Sequence, residues 1–137
     1  VHEEVRVKKI GVLNHRLAEV IATMGHTDLL VLADAGLPVP LGVERIDLAV
    51  SPGVPALLDV ARAVSTELHV ERLILASELV NRNPKLADEI AAVFASAGVD
   101  RVPHEDFKAL TAKARAVVRT GECTPYANVI LVSGVTF

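Results

Sequence analysis

A single cysteine in 137 residues, Cys123, leaves no partner for an internal disulfide and points to a reducing compartment, with the cytoplasm as the simplest reading. Tryptophan is absent and Tyr126 is the only tyrosine, so few aromatic faces are available to stack on a ring. The 14 Lys and Arg residues are scattered, Lys8-Lys9 being the one adjacent pair, against 17 Asp and Glu, giving a net charge of −3. Nucleic-acid binding calls for a clustered basic face, and none is visible; the acidic balance also argues against anionic membrane surfaces. No apolar run approaches the ~18 residues of a membrane span. The leading Val1-His2-Glu3-Glu4 is charged rather than apolar, so no secretory leader is expected. Neither a P-loop nor a dinucleotide-type glycine turn follows any strand-like run.

What remains is an apolar chain: 51% of residues are hydrophobic and mean hydropathy is +0.42. With no membrane span to absorb it, that surplus predicts subunit interfaces, hence a homo-oligomer. The length suits one domain, residues 1–137, with about the first six as an extension.

Along the chain, Asn14 caps a helix whose Leu17, Val20, Ile21 and Met24 fall at helical spacing, with Gly25 at the position that ends it. Leu29 to Ala33 reads as a strand buried on both faces. Ala35 to Pro40 is a loop, because two prolines cannot continue a central strand. Arg45 to Ser51 alternates and reads as a strand, followed by a turn at Pro52-Gly53. A helix with Pro55 in its first turn carries Leu57, Leu58, Ala61 and Val64. Arg72 to Ala76 is a strand, Asn83-Pro84 opens a helix ended by Gly98, and Val99 to Val102 is extended. The spacing of Phe107, Leu110, Ala114, Val117 and Val118 predicts a last helix from His104 to Gly121. Val129 to Val132 closes the fold as a strand. Strands alternate with helices, so the class is α/β, three layers with a largely buried sheet covered by helices.

The groups able to do chemistry cluster at strand ends, where α/β proteins build sites. His26 follows a helix end, and either caps a surface turn or works as an acid–base group near neutral pH. Asp34 terminates an apolar strand, where a carboxylate needs partners; it either forms an Asx turn over Gly36 or holds a ligand. Tyr126 and Asn128 precede a buried strand two residues apart, so an extended backbone would point both to one side. His104 could simply open the last helix. His26, His104 and Asp34 could form a two-histidine, one-carboxylate metal set, but no tight spacing supports it. His15, His69 and Glu78 carry no pattern above that of a solvated face, and Cys123 reads as an inert small hydrophobe.

Gly25-His26-Thr27-Asp28, Asp34-Ala35-Gly36-Leu37-Pro38, Arg45-Ile46-Asp47-Leu48-Ala49 and Gly121-Glu122-Cys123-Thr124-Pro125-Tyr126-Ala127-Asn128, in that order, resemble the D-ribose pyranase family, the ribose mutarotases. The resemblance runs from Lys8 to Phe137. It implies that His26 is the catalytic acid and that Asp34, His104, Tyr126 and Asn128 line the sugar pocket. It also implies no metal or cofactor, and a ring-shaped homo-oligomer (pentamer or decamer) with the pocket at a subunit boundary.

The expected reaction interconverts the β-pyranose and β-furanose forms of D-ribose. The nearest rival is the L-fucose mutarotase branch, which resembles this chain less at Gly36, where it tends to carry a bulkier residue, and at Ala127, where it tends to carry glycine. From another class, a non-catalytic sugar-binding partner protein would bind ribose without speeding exchange.

Overall fold

The computed structural model describes residues 8–137. Six strands form one mixed sheet: β1 (Leu29–Ala33), β2 (Glu44–Asp47), β3 (Val70–Ala76), β4 (Gly98–Val102), β5 (Ala116–Arg119) and β6 (Val129–Ser133). Their order across the sheet is β2-β5-β1-β6-β3-β4. β6 runs antiparallel to both its neighbours, and the other pairings are parallel. The C-terminal ends of β1, β2, β3, β4 and β5 therefore lie along one edge, where open α/β sheets place their ligands.

Alternation along the central strands divides the core in two. Leu30, Leu32, Val118, Val129 and Leu131 face one side, packed against the helices α1 (His15–Thr23), α2 (Leu57–Ser65) and α4 (Pro84–Val93). Val31, Val117 and Ile130 face the other, covered by Phe107 from α5 (His104–Thr111) and by loop residues such as Leu37. The three-layer α/β expectation is what the chain adopts, with one helical layer much thinner than the other. No helix among the described residues is long and apolar enough to cross a membrane.

Local sequence accounts for most boundaries. The Asn14 side chain accepts the Leu17 N–H at 2.9 Å and starts α1. Asn83 does the same for Leu86 at 3.2 Å, with Pro84 in the first turn of α4. The Asp59 carboxylate accepts the Ala56 N–H at 3.3 Å at the start of α2.

Four expectations need correction. Residues 116–119 are a strand, not the end of a helix from His104; α5 stops at Thr111. Ala116, Val117 and Val118 are fully buried between β1 and β2. Burying a valine is worth about 1.5–3 kcal/mol, whereas helix propensity differs by at most ~0.7 kcal/mol per ordinary residue, so the sheet wins. The strand expected over Arg45–Ser51 is only Glu44–Asp47, because its partner β5 ends at Arg119, whose carbonyl accepts the Leu48 N–H as the last bond between the two. Gly98 begins β4 rather than ending a helix. Pro55 lies ahead of α2, whose first residue is Leu57 after the cap residue Ala56, whereas Gly25 does follow the cap residue Met24 of α1 as expected, the positive φ of 69° falling on Thr27. A short helix, α3 (Ser77–Arg82), also lies where only a connection was expected.

Candidate active site

The loop leading into β6 is tied down from several directions. Buried Gly121 sits where a Cβ would overlap the carbonyl oxygens of Val54 and Ser51, so only glycine allows this approach. The Thr120 hydroxyl donates to the Ala33 carbonyl at 2.7 Å. The Glu122 carboxylate accepts the Leu57 N–H at 3.0 Å and the Thr124 hydroxyl at 2.7 Å. Burial pushes Glu122 up, but those hydrogen bonds outweigh it and hold the carboxyl below its usual range. One loop is thus fastened to the end of β1 and to the start of α2.

On that loop Tyr126 adopts φ of 61°, and the Asn128 N–H closes onto the Tyr126 carbonyl at 2.8 Å. The backbone is not extended there, yet both side chains serve one place. Buried Asn128 bridges to Asp34 in both directions: its Oδ1 accepts the Asp34 N–H at 2.7 Å, and its amide donates to Asp34 Oδ2 at 3.3 Å. Asp34 Oδ1 accepts the Gly36 N–H at 3.0 Å, so the Asx turn is real as well. The turn occupies one carboxylate oxygen and orients the other.

Asp34, Tyr126 and His104 line a cleft of about 320 Å³ with Gly36, Pro38 and Arg82, within the size range of small-ligand sites. Desolvation raises the Asp34 carboxyl above its ordinary range, against the opposing pull of its hydrogen bonds and of His104. The His104 ring meets Tyr126 edge-on at 5.0 Å. Its Nδ1 is buried with no partner among the described residues. An N–H stranded there would cost more than a lone pair, so the proton belongs on Nε2, leaving a donor for a ligand. The Arg82 guanidinium lies 5.1 Å from the Tyr126 ring centre.

The residues that position these groups were the ones least visible in the sequence. By sequence Glu78 carries no pattern above that of a solvated face, yet its two carboxylate oxygens accept the His104 N–H at 3.0 and 3.2 Å and anchor the start of α5. Glu78 and Arg82 are four apart, on one face of α3; that spacing was the available clue, had so short a helix been recognised.

His26 is elsewhere. It precedes β1 whereas Asp34 follows it, so about 17 Å of strand separates them. The imidazole is half exposed and its Nε2 lies 3.0 Å from Glu71 Oε2. Its turn is nonetheless built. The Asp28 carboxylate accepts the Gly25 N–H at 2.8 Å and pairs with Arg115 at 3.0 Å. These bonds hold Asp28 below the ordinary carboxyl range, the Gly25 N–H most strongly. The Thr27 N–H donates to the Ser133 carbonyl at 2.9 Å, and the Ser133 hydroxyl bonds the Gly25 carbonyl. Left-handed backbone at a β-branched residue is a real outlier, and such strain persists only where surroundings enforce it. Within one chain, then, Asp34, His104, Tyr126 and Asn128 converge and His26 does not. Among the described residues no three His, Cys, Asp or Glu side chains gather as a metal site would require.

Residues 7–136 match the RbsD / FucU transport protein family. The chain belongs to this family. It is 53% identical over 131 residues to a D-ribose pyranase of Symbiobacterium thermophilum, covering 96% of this chain and all of that one. Its fold superposes on Bacillus subtilis RbsD, solved in complex with D-ribose, with a TM-score of 0.91 at 49% identity over 96% of this chain and all of that one. A fucose mutarotase from Streptococcus pneumoniae, solved with L-fucose, shares the fold at 22% identity and a TM-score of 0.70, covering 96% of this chain and all of that one.

Proposed function

We propose that this protein is a D-ribose pyranase, exchanging the β-pyranose and β-furanose forms of D-ribose. The observation that carries the reading is the cleft itself. A desolvated carboxyl, an amide locked to it and an imidazole donor converge there, on a chain half identical to D-ribose pyranases along its length.

Opening the six-membered ring requires a proton on the ring oxygen and removal of one from the anomeric hydroxyl. His26 gives its proton to the ring oxygen as the bond to the anomeric carbon breaks. The Asp34 carboxylate, a stronger base for being desolvated, takes the anomeric proton and leaves the open aldehyde. Closure reverses these roles: Asp34 returns its proton to the aldehyde oxygen, and His26 takes one from the hydroxyl that attacks. His104 Nε2, the Asn128 amide and the Tyr126 hydroxyl hold the remaining hydroxyls. No cofactor enters these steps.

For His26 to act in that cleft it must come from another copy. The two halves of the site lie at opposite ends of β1, so a head-to-tail interface, with one copy's His26 end on the next copy's Asp34 end, joins them and generates a ring where its rotation closes. Both ends offer apolar contact surface: exposed Val135 and Phe137 follow Gly134 beside the His26 turn, and exposed Val50 and Val54 flank Gly121 at the cleft end. A ring-shaped homo-oligomer with a shared site is therefore part of the proposal, as is a cytoplasmic location suited to the lone, unpaired Cys123.

The test is saturation-transfer NMR of anomeric protons with a panel of sugars. D-ribose ring forms should exchange well above the uncatalysed rate, with L-fucose anomers exchanging far more slowly. Faster fucose exchange would move the protein to the other branch of its family, and ribose binding without faster exchange would make it a sugar-binding partner instead.

A further inference from the structure

We propose that Glu71 is the positioning residue of His26, holding its Nε2–H so that Nδ1 is the nitrogen that exchanges protons with the sugar. This rests on the reading of His26 as the catalytic acid. Two features aim the Glu71 carboxylate at the imidazole. Glu71 falls in a β-bulge, because the pairing of β3 with β6 shifts register between Val70 and Arg72; bulges redirect a side chain that plain alternation would place otherwise. Opposite the bulge stands Gly134, where a Cβ would meet Glu71 Cβ at 3.1 Å and Oε2 at 3.3 Å, besides His69 Cδ2 at 2.9 Å. The missing side chain leaves the space that the carboxylate fills. The result is the 3.0 Å contact with Nε2.

The neighbouring charges hydrogen-bond to partners of their own. Asp28 is engaged by Arg115 and by the Gly25 N–H, and Arg72 pairs with Asp100 on β4. Among the described residues, His26 is the only ion-pair partner of Glu71.

A carboxylate only accepts, so Nε2 keeps its proton whether the imidazole is neutral or charged. Nδ1 is then the nitrogen that gives a proton to the ring oxygen and later takes one from the attacking hydroxyl. Glu71 fixes the tautomer and the ring orientation without touching the sugar.

The experiment compares Glu71→Ala and Glu71→Gln with the native oligomer, following ribose ring-form exchange together with the ¹⁵N–¹H signals of the His26 ring. In the native protein, the Nε2–H should give a resolved, hydrogen-bonded signal. Glu71→Ala should lose that signal and lower kcat roughly 10- to 100-fold with KM for ribose unchanged. Glu71→Gln, which still offers an oxygen, should recover most of both. The proposal is overturned if Glu71→Ala keeps the Nε2–H signal and native kcat, or if the native signal comes from Nδ1–H. Failure of the underlying reading looks different: His26→Ala would exchange ribose at the native rate, although in the proteins that retain His26 the ring signal still answered to Glu71.

Discussion

His26→Ala should abolish measurable ribose ring exchange while the variant still folds, assembles and binds ribose. A positioned acid–base group contributes roughly 10²–10⁴-fold, and spontaneous mutarotation in water is already appreciable, so losing that factor leaves little above background. Folding should survive because the imidazole is half exposed and, among the described residues, bonds only Glu71. The turn around it is held by backbone bonds and by Asp28, Arg115 and Ser133 instead. Saturation transfer measures the exchange, and calorimetric ribose titration measures the binding. A variant that exchanges ribose normally removes His26 from the mechanism, and one that fails to assemble assigns it to the interface.

Asp34→Asn separates the other half of the site. It keeps the shape of the side chain and, with Oδ1 retained for the Gly36 N–H, gives up only the longer 3.3 Å bond from the Asn128 amide, but it removes the base. Exchange should fall by ~10²-fold or more, whereas stability near neutral pH should hold or rise. The direction follows from desolvation, which makes the folded protein bind a proton at Asp34 more readily than the unfolded chain does. That group's contribution to stability therefore falls as pH climbs from the ordinary carboxyl range through the raised one, and stays low above it. The asparagine variant lacks this loss, so its advantage should vanish as pH drops below the ordinary range. Parallel melting curves of the two proteins across that span check it; a variant less stable at every pH would mean the carboxylate is held by partners rather than desolvated.

Much of this arrangement was legible before any coordinates. Asn14 and Asn83 announced their helices because capping is local chemistry, and Leu29 to Ala33 announced a central strand because it is apolar at every position. The error at residues 116–119 has a different origin: Phe107, Leu110, Ala114 and Val117 happen to fit helical spacing, and only the neighbouring strands decide otherwise. α3 was invisible because it buries a single side chain, Leu79. In the site, strand-end position and family likeness point to Asp34, His104, Tyr126 and Asn128, and the ends of three strands, β1, β4 and β6, bring them together. Tyr126 and Asn128 do not share a side through extended backbone, since Tyr126 is left-handed. Glu78 and Glu71 escaped notice because each acts on a residue distant in sequence. The separation of His26 from the cleft could not be read locally either, as it depends on the length of β1 and on which end each loop occupies.

The shared site predicts an outcome that neither half alone could give. His26→Ala and Asp34→Asn subunits, each inactive, are unfolded together and reassembled as mixed rings. One interface in about four then joins an intact His26 to an intact Asp34, so ribose exchange should return to roughly a quarter of the native rate. Mixed rings no more active than their parents would contradict a site divided between copies.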